Sequence, residues 1–173
     1  MKLKKLYASR EVSAMTGLSA RQLQWWDRRG LFVPAVPSRP TERGGFTERR
    51  YTAIELVELT VLADLRRRGF SVLRIRRLLE VLRTRFRVRL FEAIEGGGPV
   101  TLFIDGDRVF ARTAAGDLYN VLENAAQPIM ALGDELGLKE LTAREHKPAK
   151  AGSPGATSGR SGKSSRGRRR AGG

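Results

Sequence analysis

The sequence predicts a mainly α fold: a four-helix winged helix-turn-helix over residues 1–83, a small α+β module over 84–146 and a disordered basic tail over 147–173. Three observations carry this expectation. Four segments before residue 83 open on Ser or Thr, and three of them stop at Gly, the punctuation of short helices. A stretch rich in Pro, Gly and Arg, 34–50, separates the second of these from the third. Charge falls into three blocks: net +13 over 1–90, −6 over 91–146 and +8 over 147–173, within a total of +15.

Each element has its own local signal. Ser9 is expected to cap a helix over Arg10 to Thr16, with Val12 and Met15 inward, Gly17 as a left-handed stop and Leu18 as a buried plug. Ser19 caps a second helix, Ala20 to about Arg29, ended by Gly30. Two short helices joined by a Gly turn form a helix-turn-helix. Pro37 and Pro40 then discourage helix and Gly44-Gly45 can turn a hairpin, which suits a basic β-wing. Thr52-Ala53-Ile54-Glu55 is a capping box for a third helix reaching Arg68, with Gly69 as its stop. Ser71 caps a fourth, in which Val72, Ile75, Leu78, Leu79 and Leu82 recur at helical spacing opposite Arg74, Arg76, Arg77 and Arg83.

Beyond Arg83 the pattern changes. Val100 to Ile104 reads as a strand, Asp105-Gly106 as a hairpin turn and Arg108 to Arg112 as the return strand. A helical turn or two is expected over Asp117 to Glu123, a strand over Pro128 to Leu132 and a last helix over Asp134 to Arg144. From Lys147 the chain has no Leu, Ile, Val or aromatic residue, so nothing there offsets the entropy of ordering it. That tail is either a solubilising end or an arm that binds phosphates without sequence preference.

The charge, with pI near 11.3, points to a polyanion as partner, double-stranded DNA in particular. The second helix carries Arg21, Gln22, Gln24 and Arg28, side chains able to bond base edges or phosphates. Ser19, at its start, joins the candidate DNA-binding set. Leu23 and Trp26 share the apolar face, while Trp25 either packs under the wing or lies against sugar-phosphate. Arg39, Arg43, Arg49 and Arg50 are wing candidates for backbone or minor-groove contact, unless some pair with Glu42 or Glu48. Tyr51 packs between wing and third helix, or its hydroxyl reaches phosphate. Arg66-Arg67-Arg68 reads as a solvated helix end.

Several classes fall away. No cysteine is present, which removes disulfides, thiolate metal sites and a Cys nucleophile. No apolar run is long enough to span a bilayer, and the first residues are no secretory signal, so a soluble, cytoplasmic, nucleoid-associated protein is expected. Asp105 and Asp107 flank a glycine, but a hairpin turn explains them better than a metal does. The single histidine, His146, stands at the start of the tail. With no nucleophile–base pairing, P-loop or dinucleotide fingerprint, neither an enzyme nor a cofactor is expected.

The stretch from about Leu6 to Leu82 resembles the DNA-binding domain of MerR-family transcription regulators. The resemblance rests on Glu11-Val12-Ser13-Ala14-Met15-Thr16-Gly17-Leu18-Ser19 and on Arg21-Gln22-Leu23-Gln24-Trp25-Trp26-Asp27-Arg28-Arg29-Gly30-Leu31. Arg49-Arg50-Tyr51-Thr52 stands where the family closes its wing with Arg-Arg-Tyr-Ser, and Arg66 to Ser71 looks like its link between third and fourth helices. The chain departs at Gln22-Leu23-Gln24-Trp25-Trp26-Asp27, where the family has Thr-Leu-Arg-Tyr-Tyr-Glu. An arginine that commonly touches DNA is therefore Gln24 here, and the indole N–H groups donate but do not accept. The resemblance implies a homodimer on a two-fold operator, with distortion of the promoter. The long dimerisation helix of well-known members is not evident after Arg83. Residues 84–146 instead look similar to strand-hairpin modules of short MerR-like and antitoxin-like proteins. That module would support dimerisation, or dock RNA polymerase or another protein. The competing reading is an architectural, antitoxin-like DNA binder whose acidic module holds a protein partner.

Overall fold

The computed structural model describes residues 5–37, 39–40, 47–94, 98–129 and 138–141. The basic tail, His146, Arg43 and the Gly44-Gly45 turn lie outside them. Strand β1 (Leu6–Ala8) leads into α1 (Ser9–Thr16). Ser9 is the first residue of this helix rather than its cap. Glu11 closes the end instead, its Oε2 accepting the Ala8 N–H at 2.9 Å. Gly17, at φ 76°, takes the left-handed conformation that ends α1 and lets the chain turn into the next helix. Leu18 is buried behind it.

Helix α2 (Ala20–Arg28) starts on a full capping box: Ser19 Oγ accepts from the Gln22 N–H at 3.2 Å, and Gln22 Oε1 accepts from the Ser19 N–H at 2.8 Å. After it, β2 (Arg39–Pro40) pairs antiparallel with β3 (Thr47–Glu48), and β4 (Arg50–Thr52) pairs back onto β1, with Tyr7 opposite Tyr51. The expected hairpin is thus present at its base. Its strand-to-helix exit is tied to the first strand of the chain, a pairing not anticipated.

Helix α3 (Ala53–Arg67) opens on the Thr52–Glu55 box. Glu55 is only 2% exposed, yet its carboxylate accepts from Thr52 N and Oγ1 and, at 2.6 Å, from Ala35 N, fastening the segment before the wing. Helix α4 (Val72–Val81), capped by Ser71, widens into a π-turn, Leu82–Phe86, closed by Arg87 at φ 59°. The short α5 (Leu90–Ile94) comes next. Four helices precede residue 82, and beyond α5 the described residues are rich in strand, so a helical part is followed by a β module.

That second part is dominated by a five-stranded antiparallel sheet in the order β8-β7-β6-β5-β9, formed by β5 (Val100–Asp105), β6 (Arg108–Thr113), β7 (Leu118–Asn120), β8 (Asn124–Ile129) and β9 (Lys139–Glu140). The β5–β6 hairpin turns at Gly106 as anticipated. The helical turns expected over Asp117 to Glu123 are instead strand β7 and a turn. Leu118, Val121 and Leu122 fit helical spacing, but Leu118, Tyr119 and Asn120 are all buried, as an inner strand covered on both faces requires. Asn120 Oδ1 then accepts from the Leu122 and Glu123 N–H groups, an Asx turn that competes with helix. Likewise Lys139–Glu140, placed in a last helix by the sequence, is an edge strand paired with Phe103 and Ile104. Of the strand expected over Pro128 to Leu132, Pro128 and Ile129 lie in β8 and the rest lies outside the described residues.

One apolar core runs through both parts, from Tyr7, Val12 and Leu62 to Ile94, Leu102 and Leu141. The acid Glu58, 4% exposed, joins them: it accepts from Arg89 Nη2 at 2.9 Å and from the Phe91 N–H at 3.1 Å. Phe86 meets Tyr119 edge-on at 5.5 Å.

Candidate nucleic-acid interface

Helix α2 divides its residues cleanly. Leu23 and Trp26, three apart, are both 2% exposed and anchor the helix on the core. On the other side Arg21, Trp25 and Arg28 are exposed at i, i+4 and i+7, with Gln22 beside Arg21 and Gln24 half-buried. The capping box fixes the first turn, and it uses the Gln22 carbonyl oxygen, so that side chain faces outward with its amide NH₂ as the donor. Ser19 is exposed but committed to the cap. Trp25 is 42% exposed, and the Arg29 guanidinium lies over its ring at 5.8 Å.

The wing residues are distributed differently. Arg39 lies in β2 by its backbone, and Arg50 is exposed on β4 opposite Ala8. Arg49 does not stand out from the wing. Its Nε donates to Asp27 Oδ2 at 2.6 Å, with the two side chains 14% and 18% exposed, so it ties the wing exit to α2. Among the described residues its partner is Asp27, and only the fold brings the two together. Tyr51 is 1% exposed and belongs to the core. Burial pushes its phenol above the ordinary range, partly offset by the neighbouring Ser9 hydroxyl and Arg49. Its oxygen has no well-formed hydrogen bond, and Ser9 gives its own proton to the Arg49 carbonyl at 3.4 Å.

The triple arginine closing α3 is also structural. Arg66 Nη1 donates to the Phe70 carbonyl, Arg67 Nη1 to the Thr16 carbonyl at 3.0 Å, and Arg68 Nε to Asp64 at 2.7 Å. Arg67 thereby braces the α1–α2 turn from behind. Sequence reasoning missed this bracing role and that of Asp27, since both depend on contacts between distant segments.

Residues 7–82 match the family described as MerR HTH family regulatory protein. Over this segment, somewhat under half of its length, the chain is similar to that family. The chain is also 26% identical over 136 residues to proteins of Mycobacterium bovis and of two strains of Mycobacterium tuberculosis, each named an uncharacterized HTH-type transcriptional regulator. That likeness covers 79% of this chain and is longer than the segment matched by the family, so it continues into the sheet. The chain spans about 56% of the length of these relatives.

The outward face of α2 offers guanidinium and amide donors beside an exposed indole, groups able to bond base edges and phosphates. Among the described residues no group of three or more His, Asp or Glu is placed to hold a metal. Asp105 is paired with Arg108. Asp107 is paired with Arg74, whose hydrogen bond holds its carboxyl below the usual range. No helix among the described residues is long and apolar enough to cross a membrane.

Proposed function

We propose that this protein is a sequence-specific regulator of transcription that grips promoter DNA through its MerR-type domain. The observation carrying this reading is the α2 surface: a capped, core-anchored helix that presents Arg21, Gln22, Trp25 and Arg28 outward together. Such a helix entering the major groove gives Arg21 and the Gln22 amide NH₂ the edges of bases, where a good bidentate arginine–guanine pair discriminates by about 1–3 kcal/mol. Gln24, Ser19, Arg39, Arg43 and Arg50 then serve the backbone or minor groove, and Arg49 and Tyr51 hold the wing against α2. Two copies, joined through residues beyond 83, bind a two-fold operator with half-sites about one helical turn apart. Deformation of the intervening DNA adds indirect readout. The basic tail raises affinity through phosphate contacts without altering preference.

The test is footprinting of the full chain on random genomic fragments, with light scattering of the complex. Protection of discrete inverted repeats by a two-chain species is expected. Uniform coverage would overturn sequence-specific regulation in favour of an architectural role.

A further inference from the structure

A groove of about 540 Å³ opens between the chain leaving α2, residues 29–33, and the face of α4 and the π-turn. Its charge is lopsided: Arg29, Arg76, Arg83 and Arg89 line it against one carboxylate, Glu80. The fold accounts for two of these cations, since Arg89 holds the buried Glu58 and Arg29 lies over Trp25. It does not account for the others. Among the described residues Arg83 makes no ion pair, and Arg76 donates only to the Arg29 carbonyl at 3.0 Å. Phe32 and Leu79 add an apolar wall.

We infer that this groove binds a small organic anion, a phosphate or carboxylate carried on an apolar body, with Arg76 and Arg83 taking the charge and Phe32 and Leu79 the body. Its volume falls within the roughly 300–1,000 Å³ typical of ligand clefts. A DNA backbone fits it less well, because a phosphodiester gains nothing from the apolar wall of Phe32 and Leu79. The occupant rests on the exit of α2, beside Arg29, whose guanidinium lies over Trp25 of that helix. The inference does not depend on the DNA-binding reading, and the two fail separately.

The probe is 8-anilinonaphthalene-1-sulfonate, titrated by fluorescence against the full chain. Saturable binding near one per chain is expected. The Arg76→Gln/Arg83→Gln variant should bind at least about tenfold more weakly, the loss expected when charged hydrogen bonds are removed. Arg77→Gln, on the same helix outside the groove, should bind as the unmodified chain does. Equal affinity in the double variant, or equal weakening by Arg77→Gln, overturns the assignment. A variant-free arm uses displacement from the unmodified chain at fixed ionic strength: phenyl phosphate should displace the probe and phenol should not, and equal displacement by both overturns it. In a third arm, binding of the double variant to random duplex DNA should keep its salt slope. A slope reduced by about two phosphate contacts, with probe binding unchanged, would reassign the arginines to the DNA backbone.

Discussion

Replacing Asp27 with Asn should loosen α2 from the wing without touching the outward face of the helix. The pair it breaks is short, Arg49 Nε to Asp27 Oδ2 at 2.6 Å, and both side chains are less than a fifth exposed. Exposed ion pairs contribute about 0–1 kcal/mol because water and salt screen them. Removing one partner of a fully buried pair costs about 3–5 kcal/mol, because the other charge is stranded. Partial burial places this pair between those limits, at about 2 kcal/mol, which corresponds to a fall in Tm of roughly 4–8 °C for a chain of this size. The assay is a double-mutant cycle in urea with Asp27→Asn, Arg49→Gln and the double variant. A coupling energy of about 1–2 kcal/mol is expected. Single effects that add to within about 0.5 kcal/mol would refute the reasoning. On duplex DNA, Arg49→Gln should leave the salt slope nearly unchanged, while Arg50→Gln should lower it by about one phosphate contact.

Tyr51, Gly98 and Glu58 give further expected outcomes. The Tyr51 phenol has its pKa raised by burial above the ordinary 10.0, so its folding contribution is complete below that value and is lost as pH climbs through the folded pKa. Tyr51→Phe should therefore flatten the alkaline decline in stability, and parallel declines in urea midpoint for the two proteins would contradict it. Because the hydroxyl has no well-formed partner, the same change should cost less than about 1 kcal/mol at neutral pH. Gly98→Ala would drive a Cβ into the Glu92 carbonyl oxygen between α5 and β5, destabilising by about 1–3 kcal/mol in chemical unfolding. Glu58→Ala strands the Phe91 N–H and leaves Arg89 without its counter-charge, so hydrogen exchange at Phe91 should accelerate and stability should fall by about 2–3 kcal/mol.

The helical part was legible because its signals are local. Ser19 with Gln22, Thr52 with Glu55, and Gly17 are punctuation written within four residues of where they act. The face of α2 came from the same source, since Leu23 and Trp26 share one side by spacing alone. Asp105-Gly106 marked its hairpin for the same reason. Asp117 to Glu123 misled because Leu118, Val121 and Leu122 satisfy helical spacing, and only burial between β6 and β8 selects the strand. Lys139–Glu140 owes its extended form to pairing with β5, some 36 residues earlier, which no local pattern records. Arg49 and Arg67 illustrate the same limit at the site. Their guanidiniums are assigned by Asp27 and by the Thr16 carbonyl, partners that only the folded chain supplies.

The most direct test of the central claim is the base preference of Arg21→Ala. Operators selected from a random duplex pool by the unmodified chain would be changed one base pair at a time and titrated with both proteins at one salt concentration. If α2 reads the major groove, the variant loses discrimination at one position per half-site, by about 1–3 kcal/mol, and retains it elsewhere. Unchanged relative affinities across all the altered operators would contradict the assignment of α2 as the recognition helix.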